Sequence, residues 1–250
     1  MEKADKHEVL IVIPTYNEAE NIEALVRAIK GIRLPLDVLV VDDASPDGTG
    51  EIVERLMRQF EGLFVLHRPK KMGLGTAYIA GFQYALAHRY KMIMTMDSDF
   101  SHHPRYIPDL LAQSTAYDIV IGSRYVPGGG VQNWSIIRRA VSFVANKLAR
   151  AILGLSSYDN TAGFRLYNRR VLEAIHFDRI QSNGYAFLVE MLYLCKKSHF
   201  NIGEVPIIFE DRRVGKSKIS KTEILMAMKT LAIYGFDRLG SRTGQAGKRS

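Results

Sequence analysis

The chain has 250 residues, 34 of them basic and 26 acidic, for a formal charge of +8 at pH 7, with 47% hydrophobic and 10% aromatic residues. With mean hydropathy near zero, that composition marks a globular protein and excludes a disordered or fibrous one. No apolar run approaches the roughly 20 residues of a bilayer-spanning helix, and a single cysteine, Cys195, excludes an intrachain disulfide framework or a CxxC metal or redox motif.

Residues 1–8 alternate charges and then enter a β-like run, without the apolar core of a signal peptide, so a cytoplasmic location is expected. The first half then alternates short β-branched runs, at 9–14, 38–42, 63–67, 92–96 and 119–122, with segments of helical period. The runs lack polar/apolar alternation, as strands buried on both faces do, and the pattern predicts a mostly parallel α/β sheet flanked by helices. Residues 18–30 place Ile22, Leu25, Val26 and Ile29 on one helical face, and 75–89 place Ala77, Ala80, Gly81, Tyr84 and Ala85 on another. Acidic and turn residues follow three of the strands: Tyr16-Asn17-Glu18, Asp42-Asp43 and Asp97-Ser98-Asp99. In an open α/β sheet that carboxyl edge is where ligands bind.

After Gly122 come a glycine run at 128–130, read as a mobile loop, a helix over 136–153, the segment 159–165, a helix over 184–198 and a strand over 202–209. A basic loop at 212–218 and an amphipathic helix over 221–239 follow, the helix packing on the core or lying at a membrane interface. One domain is expected over 1–237. Residues 238–250 carry four basic residues and no acid, and read as a disordered tail that is either simply solvated or drawn to anionic lipid.

Asp97 and Asp99, at i and i+2 where an apolar strand ends, are able to turn toward one hard cation, and Mg²⁺ or Mn²⁺ favours such oxygen ligands beside substrate phosphates. The same residues also read as ordinary acidic turn chemistry, as do Asn17 and Asp47, which precede helices. His102 and His103 read as structural, since adjacent residues rarely share one coordination sphere.

Seven motifs occur in order: PTYNE at 14–18, DDASPDGT at 42–49, GLGTAY at 73–78, DSDFSHHP at 97–104, GSRY at 122–125, GFRLY at 163–167 and RRVGKSK at 212–218. Together they resemble family-2 glycosyltransferases of the polyprenol-phosphate (dolichyl-phosphate) mannosyltransferase type, over roughly residues 9 to 235. The resemblance implies a GT-A fold and an inverting transfer of mannose from GDP-mannose to a polyprenyl phosphate at the cytosolic membrane face. It assigns donor contacts to Pro14, Tyr16, Glu18, Val41, Asp42, Asp43, Asp97, Ser98, Asp99, Arg124, Arg212 and Lys218. It assigns the divalent metal to Asp97 and Asp99, with Ser101 where the family often has Gln, a poorer ligand that leaves room for a water. The acceptor phosphate falls to Arg124, Arg138 and Ser142, with Asp97, Asp99 and Arg124 as the catalytic set. A membrane surface or a membrane-anchoring protein is the expected partner, and nucleic acid is not. The alternatives are the same fold with a UDP-sugar such as UDP-glucose, or a nucleotide-sugar-binding protein without turnover; a dinucleotide oxidoreductase is disfavoured because no GxGxxG follows the first strand.

Overall fold

The computed structural model describes residues 7–211, 226 and 228–238. Five strands alternating with four helices open the chain: β1 (Val9–Thr15), α1 (Ala19–Lys30), β2 (Leu36–Asp42), α2 (Thr49–Met57), β3 (Leu63–His67), α3 (Leu74–Ala87), β4 (Met92–Thr95), α4 (Ile107–Ala112) and β5 (Ile119–Ser123). Then come β6 (Gly130–Val131), α5 (Ile136–Leu153), β7 (Arg165–Asn168), α6 (Arg169–Ala174), α7 (Gly184–Lys197), β8 (Ile202–Pro206) and β9 (Ile208–Phe209). The main sheet has the order β3-β2-β1-β4-β7-β5-β8, with β7 antiparallel to both neighbours and the remaining pairs parallel.

Strand alternation sorts the apolar residues into two cores. Leu10, Val12, Leu39, Val41, Ile93 and Tyr167 face α3 and α7, while Val9, Ile11, Ile13, Val38, Val40 and Met94 face α1 and α4. Each fully buried Val, Leu or Ile on these faces contributes about 1.5–3 kcal/mol, which is why the strands read as continuous apolar runs. Gly81 lets α3 lie close against β1, since a Cβ there would stand 2.3 Å from Val12 Cγ1.

The sheet is mostly parallel as expected, one strand within it was not foreseen, and two expectations are corrected. The unforeseen strand is the antiparallel β7, which lies inside the sheet although it is short and begins with an arginine: Arg165 is fully buried, its guanidinium donating to the Leu188 carbonyl (2.7 Å) and the Asn160 carbonyl (2.9 Å). The strand expected over 202–209 breaks at Ile207, and β9 turns out to pair with β6. That pairing orders the end of the glycine run, whose Gly130 N–H donates to the Ile207 carbonyl at 3.0 Å, so it is not a mobile loop there.

Of the amphipathic helix expected over 221–239, residues 228–238 are helical and the segment before 226 lies outside the described residues. Leu231 and Tyr234 pack on the core, while Met228 and Phe236 are exposed. Arg238, the first residue of the expected tail, lies in this helix, and its Nη1 donates to the Ala151 and Ile152 carbonyls of α5. The basic loop at 212–218, with Arg212 and Lys218, lies outside the described residues, as do residues 239–250.

Candidate active site

The chain leaves β1 toward β2 on one side, whereas β4 lies on the other, so the crevice at the carboxyl ends of β1 and β4 is the point where strand order reverses. The three strand-end motifs meet there. Each turn holds one non-glycine residue in the left-handed region: Asn17 (φ 57°), Ala44 (φ 54°) and Phe100 (φ 62°). Such conformations cost about 1–2 kcal/mol apiece in an L-residue and persist only where surrounding bonds fix them.

Those bonds are dense. The N–H groups of Asn17, Glu18 and Ala19 donate to Ser45 Oγ, Thr49 Oγ1 and Asp47 Oδ2, each at 3.0 Å, lacing the β1 turn to the β2 turn. Asp42 accepts from Thr15 Oγ1 and from the Ser45 amide and hydroxyl. Asp43 accepts from Arg68 Nε (2.5 Å), Met72 N and Gly73 N. Glu18, Asp42 and Asp43 are all buried, so the residues expected to contact the donor also build its wall. Val41 points its side chain into the core, and Tyr16 carries the Lys71 ammonium 4.1 Å from its ring centroid.

At the end of β4, the Asp97 side chain is 32% exposed. The fully buried Tyr78 hydroxyl donates to Asp97 Oδ1 at 3.2 Å; burial first, and then the Asp97 charge, hold that phenol well above its usual range, keeping it a donor. The Asp97 amide donates to His102 Nδ1 at 3.2 Å, which puts the imidazole proton on Nε2. Burial lowers the His102 pKa despite the opposing charges of Asp97 and Asp99, so the neutral ring is the form present, stacked on Phe164. The His102–Asp97 approach of 3.5 Å is therefore not an ion pair. Gly163 lies opposite, and a Cβ there would meet Asp97 Oδ1 at 3.1 Å.

Asp99 is buried and accepts from the Ser101 amide at 3.0 Å. Ser98 is buried between the two aspartates, and Ser101 Oγ is buried without a hydrogen-bond partner among the described residues. A buried unpaired hydroxyl costs about 1–3 kcal/mol, and this one lies two residues past Asp99. Two carboxylates with an unsatisfied oxygen beside them fit a divalent cation that completes its shell with diphosphate and water. Among the described residues no group of three or more His, Cys, Asp and Glu is placed to hold a metal ion by itself.

Among the residues expected at the acceptor phosphate, the Arg124 fork closes on Asp159: Nε to Oδ2 at 2.7 Å and Nη2 to Oδ1 at 2.6 Å, with Nη2 also on Thr161 Oγ1. The fork expected to be bidentate to a phosphate is thus bidentate to a carboxylate, because Glu204 fixes the 158–159 turn by accepting from the Tyr158 and Asp159 amides. Burial alone would raise the Asp159 pKa, but the Arg124 charge and hydrogen bonds bring it below its usual value. Arg138 sits in the first turn of α5, capped by Ser135, and its Nη1 meets both oxygens of Asp211 at 2.9 and 3.0 Å. Ser142, one turn on, accepts from the Tyr125 hydroxyl at 2.7 Å. Trp134 joins the two arginines, with Arg138 Cζ 4.1 Å and Arg124 Cζ 5.4 Å from its ring. Sequence reasoning did not single out Tyr78, Trp134, Asp159 or Asp211 as site residues; the only signal for Trp134 was that it is the sole tryptophan.

The model of Glycosyl transferase family 2 matches residues 10–175. The chain is 42% identical over 228 residues, 90% of its length and 86% of the relative's, to a polyprenol monophosphomannose synthase of Mycolicibacterium smegmatis. It is 44% identical over 212 residues, 85% and 87% of the two chains, to an undecaprenyl-phosphate mannosyltransferase of Micrococcus luteus. Among solved structures, glucosyl-3-phosphoglycerate synthase of Mycobacterium tuberculosis, in complex with Mn²⁺, UDP and phosphoglyceric acid, shares the fold at a TM-score of 0.67 and 19% identity, covering 92% of this chain and 78% of that one.

Proposed function

The chain belongs to glycosyl transferase family 2, and from that premise we propose that it transfers mannose from GDP-mannose to a polyprenyl phosphate on the cytosolic face of a membrane. The observation that carries the reading is the link from the aspartates to the arginines: Phe209 packs edge-on against both His102, which accepts from the Asp97 amide, and Trp134, over whose ring Arg124 and Arg138 lie. Both curated relatives are named for mannose and a polyprenyl phosphate, over most of this chain.

The acceptor is a phosphate monoester whose second pKa is about 6, so near neutral pH its oxygen is already an anion and needs no general base. That oxygen attacks the anomeric carbon as the bond to the diphosphate breaks, and the nucleotide leaves with the electron pair. In-line displacement inverts the configuration. Positioning two anions together and stabilising the departing charge are what the protein supplies. Asp97 and Asp99, with Ser101 beside them, would hold a Mg²⁺ or Mn²⁺ ion, which offsets charge on the leaving diphosphate when bound. Tyr78 and His102 fix Asp97 from its carboxylate and from its backbone. Arg138 and Ser142 present a cation and a hydroxyl to the acceptor phosphate from one face of α5, and Arg124 braces the neighbouring wall through its two-pronged pair with Asp159. Arg212 and Lys218 are the cations proposed to meet the donor.

Among the described residues, no helix is long and apolar enough to cross a membrane. α5 nevertheless exposes Ile136 (84%), Ile137 (76%), Val141, Phe143, Val144 and Leu148, and it carries Arg138, Arg139, Lys147 and Arg150 without an acid. Between α5 and residues 228–238 runs an apolar groove of about 710 Å³, lined by Leu148, Ile152, Met228, Leu231 and Phe236. Apolar surface of this extent beside basic residues matches an anionic lipid interface, and it brings Arg138 to the depth of a lipid headgroup.

The reading is tested by offering GDP-mannose, GDP-glucose, UDP-glucose and UDP-N-acetylglucosamine with one short polyprenyl phosphate. Transfer from GDP-mannose above the rest supports it. Preference for a UDP-sugar replaces the donor, and binding without transfer from any donor overturns the enzymatic reading.

A further inference from the structure

We propose that Trp134 is an acceptor-site residue whose indole N–H donates to the phosphate that Arg138 binds, and that the Asp211 carboxylate occupies this place until the acceptor displaces it. The proposal deepens the lipid-phosphate reading above and rests on it.

Buried polar groups in a settled interior find hydrogen-bond partners. Here two planar groups stacked on one another both fail to. Trp134 is 8% exposed, and its Nε1 is buried with no hydrogen-bond partner among the described residues. Arg138 Nε is buried and unpaired in the same way, and Arg138 Cζ lies 4.1 Å from the Trp134 ring centroid. Two donors therefore wait beside each other on the residue before the α5 N-cap and on the first turn of that helix.

The outer nitrogen of Arg138 is engaged. Its Nη1 meets both carboxylate oxygens of Asp211, with the two side chains 27% and 34% exposed. A partly exposed ion pair of this kind holds weakly and opens readily. A phosphate presents the guanidinium with the same charge-assisted pairing as a carboxylate, but with three acceptor oxygens rather than two. Exchanging Asp211 for a phosphate thus keeps the Nη1 contact and supplies acceptors for Arg138 Nε–H and Trp134 Nε1–H. The indole plane serves the same end, since a guanidinium stacked on a ring is held at a defined tilt. Phe209, edge-on to Trp134 at 5.3 Å, fixes that ring in turn.

Because Trp134 is the sole tryptophan, its emission reports this place alone. The full chain is titrated with a short polyprenyl phosphate and, separately, with the matching polyprenol, and steady-state transfer is measured for Trp134→Phe and Asp211→Asn. The phosphate should change the emission saturably and the alcohol should not. Trp134→Phe keeps an aromatic face under Arg138 but has no donor; losing a hydrogen bond to a charged group, it should raise the acceptor KM about tenfold or more. GDP affinity and melting temperature should stay as in wild type. Asp211→Asn removes the competing anion and should saturate at lower acceptor concentration. An unchanged acceptor KM in Trp134→Phe, an equal loss of GDP affinity, or a wild-type acceptor response in Asp211→Asn overturns the proposal. If the wild-type chain transfers no mannose at all, the functional reading fails, and the emission titration still decides the site: a phosphate-specific change upholds an oxyanion site at Trp134, and no change removes it.

Discussion

Arg124 and Asp159 form a two-pronged ion pair whose side chains are 6% and 0% exposed, joining the end of β5 to the turn before β7. Breaking one side of such a pair leaves a buried charge uncompensated, at about 3–5 kcal/mol. Asp159→Asn should therefore lower the melting temperature at neutral pH. The pH dependence has a definite sign. The Arg124 charge and hydrogen bonds hold the folded Asp159 pKa below the usual aspartate value, so its stabilising charge is fully present above the unfolded pKa and is lost as pH falls through the folded one. The difference in stability between wild type and Asp159→Asn should shrink as pH is lowered below about 4. Thermal or urea unfolding from pH 7 down to pH 3 checks it, and a difference independent of pH would refute the pair's role.

Asp99→Ala should abolish transfer while leaving the melting temperature close to wild type, since the strand end is held chiefly by backbone bonds and by Thr95 Oγ1 on the Gly163 carbonyl. Asp97→Asn should also be severe, because an amide offsets no charge on a cation. Excess chelator should reproduce the loss and added Mg²⁺ or Mn²⁺ should reverse it. Full activity in chelator would dismiss a divalent ion.

Arg138→Ala should impair the acceptor far more than the donor. Removing a charge-assisted hydrogen bond costs about 1.5–3 kcal/mol, which corresponds to a ten- to hundredfold rise in acceptor KM or more. Calorimetry with GDP should show no comparable change. Equal losses for GDP and acceptor would place Arg138 with the donor or with the fold.

The exposed face of α5 should bind membranes. Ile137→Glu with Phe143→Glu should release the protein from anionic liposomes in cosedimentation, without altering GDP affinity. Binding should weaken with salt, since exposed charges are screened over about 8–10 Å near physiological ionic strength. Removing 239–250 tests the basic tail separately and spares Arg238, which is bonded to the end of α5. Binding that survives the truncation but not the glutamates assigns recruitment to α5.

The sheet was legible because strands covered on both faces are written in uninterrupted Val, Ile and Leu, as at 9–13 and 38–41. β7 was hidden because its buried Arg165 is satisfied by carbonyls that the local pattern does not reveal, Leu188 in α7 and Asn160 in the preceding turn. The residue types at the three strand ends were readable from their motifs, but their partners were not. Asp159 lies 35 positions from Arg124 and Asp211 lies 73 from Arg138, so only the fold reveals that these arginines already hold carboxylates. The reach of a motif ends where tertiary pairing begins.

In the proposed reaction a lipid phosphate oxygen, with no deprotonation step, displaces the nucleotide from mannose. The most direct measurement incubates the protein with labelled GDP-mannose, a divalent metal and either a short polyprenyl phosphate or the matching polyprenol, and then determines the lipid product and its anomeric configuration by NMR. In-line displacement predicts a β-mannosyl phosphate from the phosphate and nothing from the alcohol. Equal transfer to the alcohol, or an α-linked product, would contradict it.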